Sequence, residues 1–133
     1  MKTFIDTCFI TALVNEQDSL HAKALELSEL NEGQQFILTD AILLEAGNAL
    51  AKRYRQEVIA IIEQFQIAKD IEIARIDPEV FEQAFLLFKH HKDKTWGLVD
   101  CVSFVVMQEH GVTDALTYDQ HFVQAGFRAL MRD

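Results

Sequence analysis

Phe4 and Ile5 form a short apolar run that stops at once on an acid, Asp6, with Thr7 behind it ready to open a helix. Such a run, with no turn residue after it, reads as a buried strand that ends on a carboxylate and passes straight into a helix. The arrangement recurs. Phe36-Ile37-Leu38-Thr39 leads into Asp40, Ile71–Ile76 alternates apolar and polar residues ahead of Asp77-Pro78, and Ala115-Leu116-Thr117-Tyr118 leads into Asp119. Stretches at helical spacing separate these runs, and no hairpin-type turn joins one to the next. Strands that alternate with helices pair in parallel and are covered on both faces. The expectation is a three-layer α/β/α sandwich around a parallel sheet of four or five strands, with residues 1–133 forming one domain.

The intervening helices can be placed from their apolar positions. The first helical region runs from about Cys8 to Asn31, broken near Asn15–Ser19, with Leu20, Ala24, Leu27, Ser28 and Leu30 as its stripe and Gly33 as its stop. Thr39 or Asp40 caps a helix over Ala41–Arg55, and a second helix follows over about Glu57–Asp70. The two are read as a hairpin projecting from the sheet. Asp77 as cap and Pro78 at the first helical position start a helix that runs to about His91. Its expected buried side is Val80, Phe81, Ala84, Phe85, Leu87 and Phe88. After a polar loop, Lys92–Gly97, come a helix over Leu98–His110, the strand at Ala115, a brief helix over Gln120–Ala125 and a last strand within Phe127–Met131.

Composition narrows the class. Half of the residues are hydrophobic, while one Pro and five Gly disfavour disorder and turn-rich all-β folds. No apolar run is long enough to span a bilayer. Met1-Lys2 leads directly into a strand, so no secretory leader is read and a cytoplasmic location is expected. Cys8 and Cys101 are far apart and lack metal-type spacing, which fits reduced thiols. Twelve Lys and Arg against 21 Asp and Glu give a formal charge of −9, the wrong sign for a surface that attracts polyanions. Four acids neutralised by bound cations would leave about −5.

Four carboxylates occupy telling positions. Asp6 ends the first strand, and Asp119 follows the strand at Leu116. Glu45 interrupts Leu43-Leu44-Glu45-Ala46-Gly47, and Asp100 interrupts Leu98-Val99-Asp100-Cys101-Val102. Each has an ordinary explanation: Asp6 and Asp119 as helix caps, Asp100 as an early-helix acid favoured by the dipole, Glu45 as a solvent-facing residue. That all four fall at strand ends or inside apolar helical segments is what those explanations leave over. An ionised carboxylate in an apolar segment is costly unless paired or on a metal, and Gly47 is expected to let another element approach closely. Carboxylates gathered at one point stay ionised only with cations among them. A ligand set of oxygens without His or Cys favours Mg²⁺ or Mn²⁺. One or two such ions can activate a water against a phosphodiester.

The motifs Phe4-Ile5-Asp6-Thr7, Thr39-Asp40-Ala41-Ile42-Leu43-Leu44-Glu45, Leu98-Val99-Asp100-Cys101-Val102-Ser103-Phe104 and Leu116-Thr117-Tyr118-Asp119-Gln120-His121-Phe122 carry a resemblance. In order, spacing and total length the chain resembles the PIN domain family, and within it the VapC-type toxins of prokaryotic toxin–antitoxin pairs. The resemblance implies a parallel five-stranded sheet with an acidic pocket at the strand carboxyl ends, and Mg²⁺- or Mn²⁺-dependent hydrolysis of RNA. It puts Asp6, Glu45, Asp100 and Asp119 in the quartet, Asp6 and Asp100 as the most direct ligands. Thr7, Thr117 and Ser103 are placed as supporting residues. It also implies a cognate antitoxin that blocks the pocket, and a homodimer, with the apolar helices around Leu50–Phe65 as candidate contact surfaces. Cys8 departs from the Asn or Ser that many relatives carry there, and is read as a packing residue.

For the RNA itself, Lys92, Lys94, Trp96 and Arg53 are the candidates: Trp96 as a stacking platform, the others as phosphate contacts. The competing reading makes them solvated helix ends and a core tryptophan. Among rivals, a haloacid-dehalogenase-like phosphatase needs Asp-x-Asp where this chain has Cys8. A phosphoacceptor receiver domain needs an acidic pair and a late Lys that are not evident. A PIN-like domain that binds RNA or protein without cutting remains the non-enzymatic alternative.

Overall fold

The computed structural model describes residues 1–133. Five strands, β1 (Lys2–Ile5), β2 (Gln35–Thr39), β3 (Ile71–Ala74), β4 (Asp114–Leu116) and β5 (Arg128–Ala129), form one sheet in the order β3-β2-β1-β4-β5. Every pair is parallel, with Phe4 opposite Ile37 on one side of β1 and opposite Ala115 on the other. The chain therefore builds outward from β1 in one direction, then crosses back and builds outward in the other. The reversal falls between β1 and β4. Ligand sites of open parallel sheets lie in the crevice beyond the carboxyl ends at such a reversal, and Asp6 stands at that end of β1.

Seven helices link the strands: α1 (Thr7–Val14), α2 (His21–Leu30), α3 (Asp40–Leu50), α4 (Arg55–Ile67), α5 (Pro78–His90), α6 (Leu98–Glu109) and α7 (Gln120–Gln124), with a closing 3₁₀ turn at Leu130–Arg132. Right-handed crossovers put α1–α4 on one face and α5–α7 on the other. The packing agrees: α1 lies on α2 and α3, α3 on α4, α5 on α6, and α6 on α7. No helix is long and apolar enough to cross a membrane.

The local chemistry sets the element ends. Buried Thr39 caps α3 by accepting the Ile42 N–H at 3.3 Å, while Asp40 accepts the Ile76 N–H at 3.1 Å and so ties the exit of β3 to the start of α3. Asp77 caps α5 through the Val80 N–H at 2.8 Å, with Pro78 in the first turn. Gly33, Gly111 and Gly126 all follow helix ends with positive φ, which costs glycine little. A cluster of 27 buried residues forms the core. Phe4 packs on Phe122, Phe122 edge-on to Phe104 at 5.0 Å, and Phe104 on Trp96 at 5.1 Å. Burying one such ring contributes roughly 1.5–3 kcal/mol, so this column fixes where α7 sits relative to the sheet.

Several sequence expectations are corrected. α3 stops at Leu50 rather than Arg55, because Tyr54 turns in to donate its hydroxyl to Asn15 at 3.0 Å and α4 begins at once. On α2 only Ala24 and Leu27 are buried, and Ser28 and Leu30 face solvent. On α5 the buried residues are Val80 and Ala84, with Leu87 partly covered. Phe81, Phe85 and Phe88 are exposed. α5 rests on α6, and its apolar stripe is wider than that contact. Periodicity finds an apolar face but not how much of it a neighbour covers. The last strand is only Arg128–Ala129, after which the chain turns and the Met131 N–H reaches the Thr117 carbonyl at 3.1 Å.

Candidate metal centre and active site

Asp6 occupies the N-cap position of α1 in extended conformation, but its side chain makes no capping bond. The ordinary capping explanation therefore fails for it. The carboxylate is buried, 7% exposed, and its Oδ2 accepts a hydrogen bond from Thr117 Oγ1 at 2.7 Å. Its pKa is raised from 3.8 to about 6. Burial is the largest cause. The Thr117 hydroxyl and the Thr7 N–H pull the other way, and the charges of Asp100 and Glu45 push it further up. Asp6, at the end of β1, thus lies within the field of an acid on α3 and an acid on α6.

Glu45 sits at the rim. It is exposed on α3 and accepts a hydrogen bond from the Thr7 hydroxyl, which joins the start of α1 to the helix packed on it. Thr7, expected as a supporting residue, is thus bonded to one of the four acids. Gly47 departs from its expectation: nothing lies within 4 Å of where a Cβ would stand, so no element makes a close approach there.

The tightest grouping is on the other side. Asp100 Oδ2 accepts the Gly97 N–H at 3.0 Å and lies 2.9 Å from His121 Nδ1. Asp119 caps α7 by accepting the His121 N–H at 2.9 Å, and the same oxygen is 3.3 Å from the His121 ring. The second ring nitrogen, Nε2, meets Thr95 Oγ1 at 2.9 Å. One ligand atom each from Asp100, Asp119 and His121 falls within 4.8 Å of the others, a group that could hold a metal ion. This adds a histidine beside the expected carboxylates. A set without histidine was expected, with Asp6 and Asp100 foremost, but the compact group contains His121 and leaves Asp6 and Glu45 beside it. Asp119-x-His121 at the start of a short helix turns both side chains toward one point. Carboxylate oxygens suit Mg²⁺ and Mn²⁺, and an imidazole nitrogen is a ligand more common among transition metals.

Thr117 links the two sides. Fully buried, it donates to Asp6 and accepts the Asp119 N–H at 3.0 Å. Cys8 closes the same corner: its Sγ is 3.3 Å from Thr117 Oγ1 and receives the Tyr118 N–H at 3.3 Å. Burial, with the Asp6 charge second, pushes this thiol up to about 12, so it is a neutral packing and hydrogen-bonding group rather than a nucleophile. Ser103 is corrected. It is buried, and its hydroxyl donates back to the Val99 carbonyl at 3.1 Å, one turn earlier in α6, rather than to one of the acids.

Trp96 is also corrected as a stacking platform. It is 8% exposed, with His91 stacked on the indole at 4.9 Å, Phe104 against it edge-on, and Nε1 donating to Gln124 at 3.0 Å. It is a core residue. Lys92 is exposed, Lys94 is partly covered, and both line a surface cleft with Thr95. Arg53 is exposed just past α3, in a separate cleft with Thr11, Asn15 and Tyr54.

With this geometry in view, similarity to known proteins is informative. Residues 3–128 match the PIN domain family model. The chain is 26% identical over 124 residues to the 23S rRNA-specific endonuclease VapC20 of two Mycobacterium tuberculosis strains, covering 93% of this chain and 94% of the relative. The fold is that of the crystal structure of M. tuberculosis VapC20, described as a sarcin-ricin loop cleaving toxin. The TM-score is 0.85 at 24% identity, over 95% of this chain and 96% of that one. FitAcB from Neisseria gonorrhoeae superposes with a TM-score of 0.64 at 16% identity, over 96% of this chain and 94% of that one. A model match that runs nearly end to end, on a five-stranded parallel sheet with acids gathered at its switch point, places this chain in the PIN domain family.

Proposed function

We propose that this protein is a divalent-metal-dependent endoribonuclease and the toxin of a toxin–antitoxin pair, acting in the cytoplasm. The observation that carries the proposal is the meeting of Asp6, Glu45, Asp100 and Asp119, from four separate parts of the chain, at the sheet's switch point. Family membership and the endonuclease name of the VapC20 relatives support it. The donor set fits a hard or borderline cation: carboxylate oxygens, one imidazole nitrogen and a surplus of negative charge with no Lys or Arg bonded to it. Asp100, Asp119 and His121 would hold one Mg²⁺ or Mn²⁺, and Asp6 and Glu45 would complete that site or hold a second ion. Bound there, the cation supplies Lewis acidity toward the phosphate and lowers the pKa of water.

The residues of the chain do the rest. Thr117 and Thr7 fix the orientations of Asp6 and Glu45 by hydroxyl hydrogen bonds, so the carboxylates need not reorganise during the reaction. Burial raises the pKa of Asp6, so binding of a cation by this carboxylate is coupled to loss of its proton. Thr95 and the two acids hold the imidazole of His121 at both nitrogens. In the hydrolysis a water oxygen bonds to phosphorus, the ester bond to one ribose oxygen breaks, and a proton passes to that leaving oxygen. A cognate antitoxin, and self-association through Ile59 and Ile67 on the outside of α4, belong to the same reading. Leu50 and Val58, from the region first considered for these contacts, are buried in the core and unavailable.

The test is cleavage of RNA by purified, antitoxin-free protein with Mg²⁺, with Mn²⁺ and with EDTA. Cutting with either metal and none in EDTA is expected. Cutting in EDTA, or none under any condition, contradicts the assignment.

A further inference from the structure

Beside the acids lies a cleft of about 400 Å³ between the last turns of α5 and the loop 91–97. Its floor is Trp96 with His91 stacked on it. Its walls are Phe85, Phe88, Lys89, Lys92, Lys94 and Thr95. We propose that this cleft seats the single-stranded RNA next to the cleaved bond, with Lys89, Lys92 and Lys94 on phosphates and Phe88 stacked on a base. The proposal rests on the ribonuclease reading and adds to it where the substrate lies.

Three observations carry it. The first is charge. The chain has only 12 Lys and Arg against a formal charge of −9, yet three of the 12 fall within residues 89–94 and line this one cleft. The α5 dipole accounts for Lys89, in its last turn, but not for Lys92 and Lys94 beyond the helix. One carboxylate is present, Asp93, 3.3 Å from Lys94 and open to solvent. The second is aromatic exposure. Phe85 and Phe88 both face solvent here; Lys89 Nζ lies 5.0 Å above the Phe85 ring, and Phe88, the more exposed of the two at 42%, carries no such cation. Cations interleaved with an open aromatic ring are how surfaces grip single strands without reading sequence. The third is continuity. Thr95 lines the cleft and bonds to His121, which bonds to Asp100, so the cleft adjoins the acids at Thr95.

The test uses a fluorescein-labelled 15-nucleotide single-stranded RNA and anisotropy in EDTA, where binding proceeds without cleavage. Wild type, Phe88→Ala, Phe88→Trp and the triple variant Lys89→Ala/Lys92→Ala/Lys94→Ala are compared across salt concentrations. Far-UV circular dichroism melts check that these surface changes leave the fold intact. The triple variant is expected to lower the slope of log Kd on log salt by about 2, at ~0.7 per phosphate on single strands. Phe88→Ala is expected to bind about tenfold more weakly with the slope unchanged, and Phe88→Trp to restore affinity. Single-turnover cleavage at subsaturating RNA with Mn²⁺ falls in step with the lost affinity in Phe88→Ala and the triple variant, and is restored in Phe88→Trp. Wild-type affinity and slope in the triple variant, or no RNA binding by wild type in EDTA, overturns the proposal. So does intact RNA binding together with lost co-purification of an acidic antitoxin, which would make the cleft a protein-binding surface. Failure of the ribonuclease reading looks different: the RNA binds, and no metal brings about cleavage.

Discussion

The two sides of the acidic pocket solve the same electrostatic problem in different ways. On one side Asp6 is buried, oriented by the Thr117 hydroxyl, and left with no cationic partner. On the other, Asp100 and Asp119 are partly solvated and share the imidazole of His121 and backbone N–H groups. The difference follows from position. β1 is the central strand, so its last residue is covered by both helical layers. The other two acids stand at the first turns of α6 and α7, where helix N-termini favour negative charge. One side buries a charge with a single hydroxyl donor to it, and the other spreads its charge over a ring nitrogen and backbone N–H groups.

Substitutions can break or sharpen this contrast. The largest effect is expected from Asp100→Asn, which faces both sides: it removes charge beside Asp6 and a ligand from the compact trio. RNA cleavage with Mn²⁺ should fall by about a thousandfold or more, measured as kcat/KM. His121→Ala comes next. If the imidazole supports the second side, Mn²⁺ affinity by calorimetry and cleavage rate both drop roughly 10–100-fold, and the preference for Mn²⁺ over Mg²⁺ narrows. An unchanged metal preference would remove His121 from the ligand set. Thr117→Val should cost about tenfold in activity, because it frees the Asp6 carboxylate and also removes the acceptor of the Asp119 N–H, while the bonds of His121 to Asp100 and Asp119 remain. The smallest effect belongs to Cys8. With its thiol held near 12, iodoacetamide at pH 7 should leave activity within about twofold of untreated protein, and Cys8→Ser should behave likewise. Loss of activity on alkylation would show a reactive thiol where burial forbids one.

The same contrast marks what a reader of the sequence can and cannot see. The sheet was legible because each strand is an apolar run with a helix start behind it, and parallel pairing follows from that alternation. Asp6, Glu45, Asp100 and Asp119 were legible as charges out of place at strand ends and in apolar segments. His121 was not, because a histidine two residues past an acid has no unusual neighbours until α7 turns it back on Asp100. Trp96 misled for the opposite reason. A lone tryptophan in a basic loop has the composition of a stacking platform, and only the packing of His91 and Phe104 around it shows a core residue. Phe81, Phe85 and Phe88 share α5 with buried Val80 and Ala84, and periodicity cannot tell covered apolar positions from bare ones.

The central claim is that Asp6 is held in an unfavourable state that a cation relieves. Its pKa is about 6 in the folded chain against 3.8 for the free side chain. The folded state therefore holds the proton more tightly, and metal-free stability falls as pH rises from about 4 through 6, then stays lowered. The shift corresponds to about 3 kcal/mol above pH 7. Thermal melts of wild type and Asp6→Asn at pH 7.5, in EDTA and in saturating Mn²⁺, test this directly. The account predicts that Asp6→Asn melts several degrees higher in EDTA, and that Mn²⁺ raises wild type strongly but the variant little. A variant that melts lower in EDTA, with Mn²⁺ shifting both proteins equally, would contradict it.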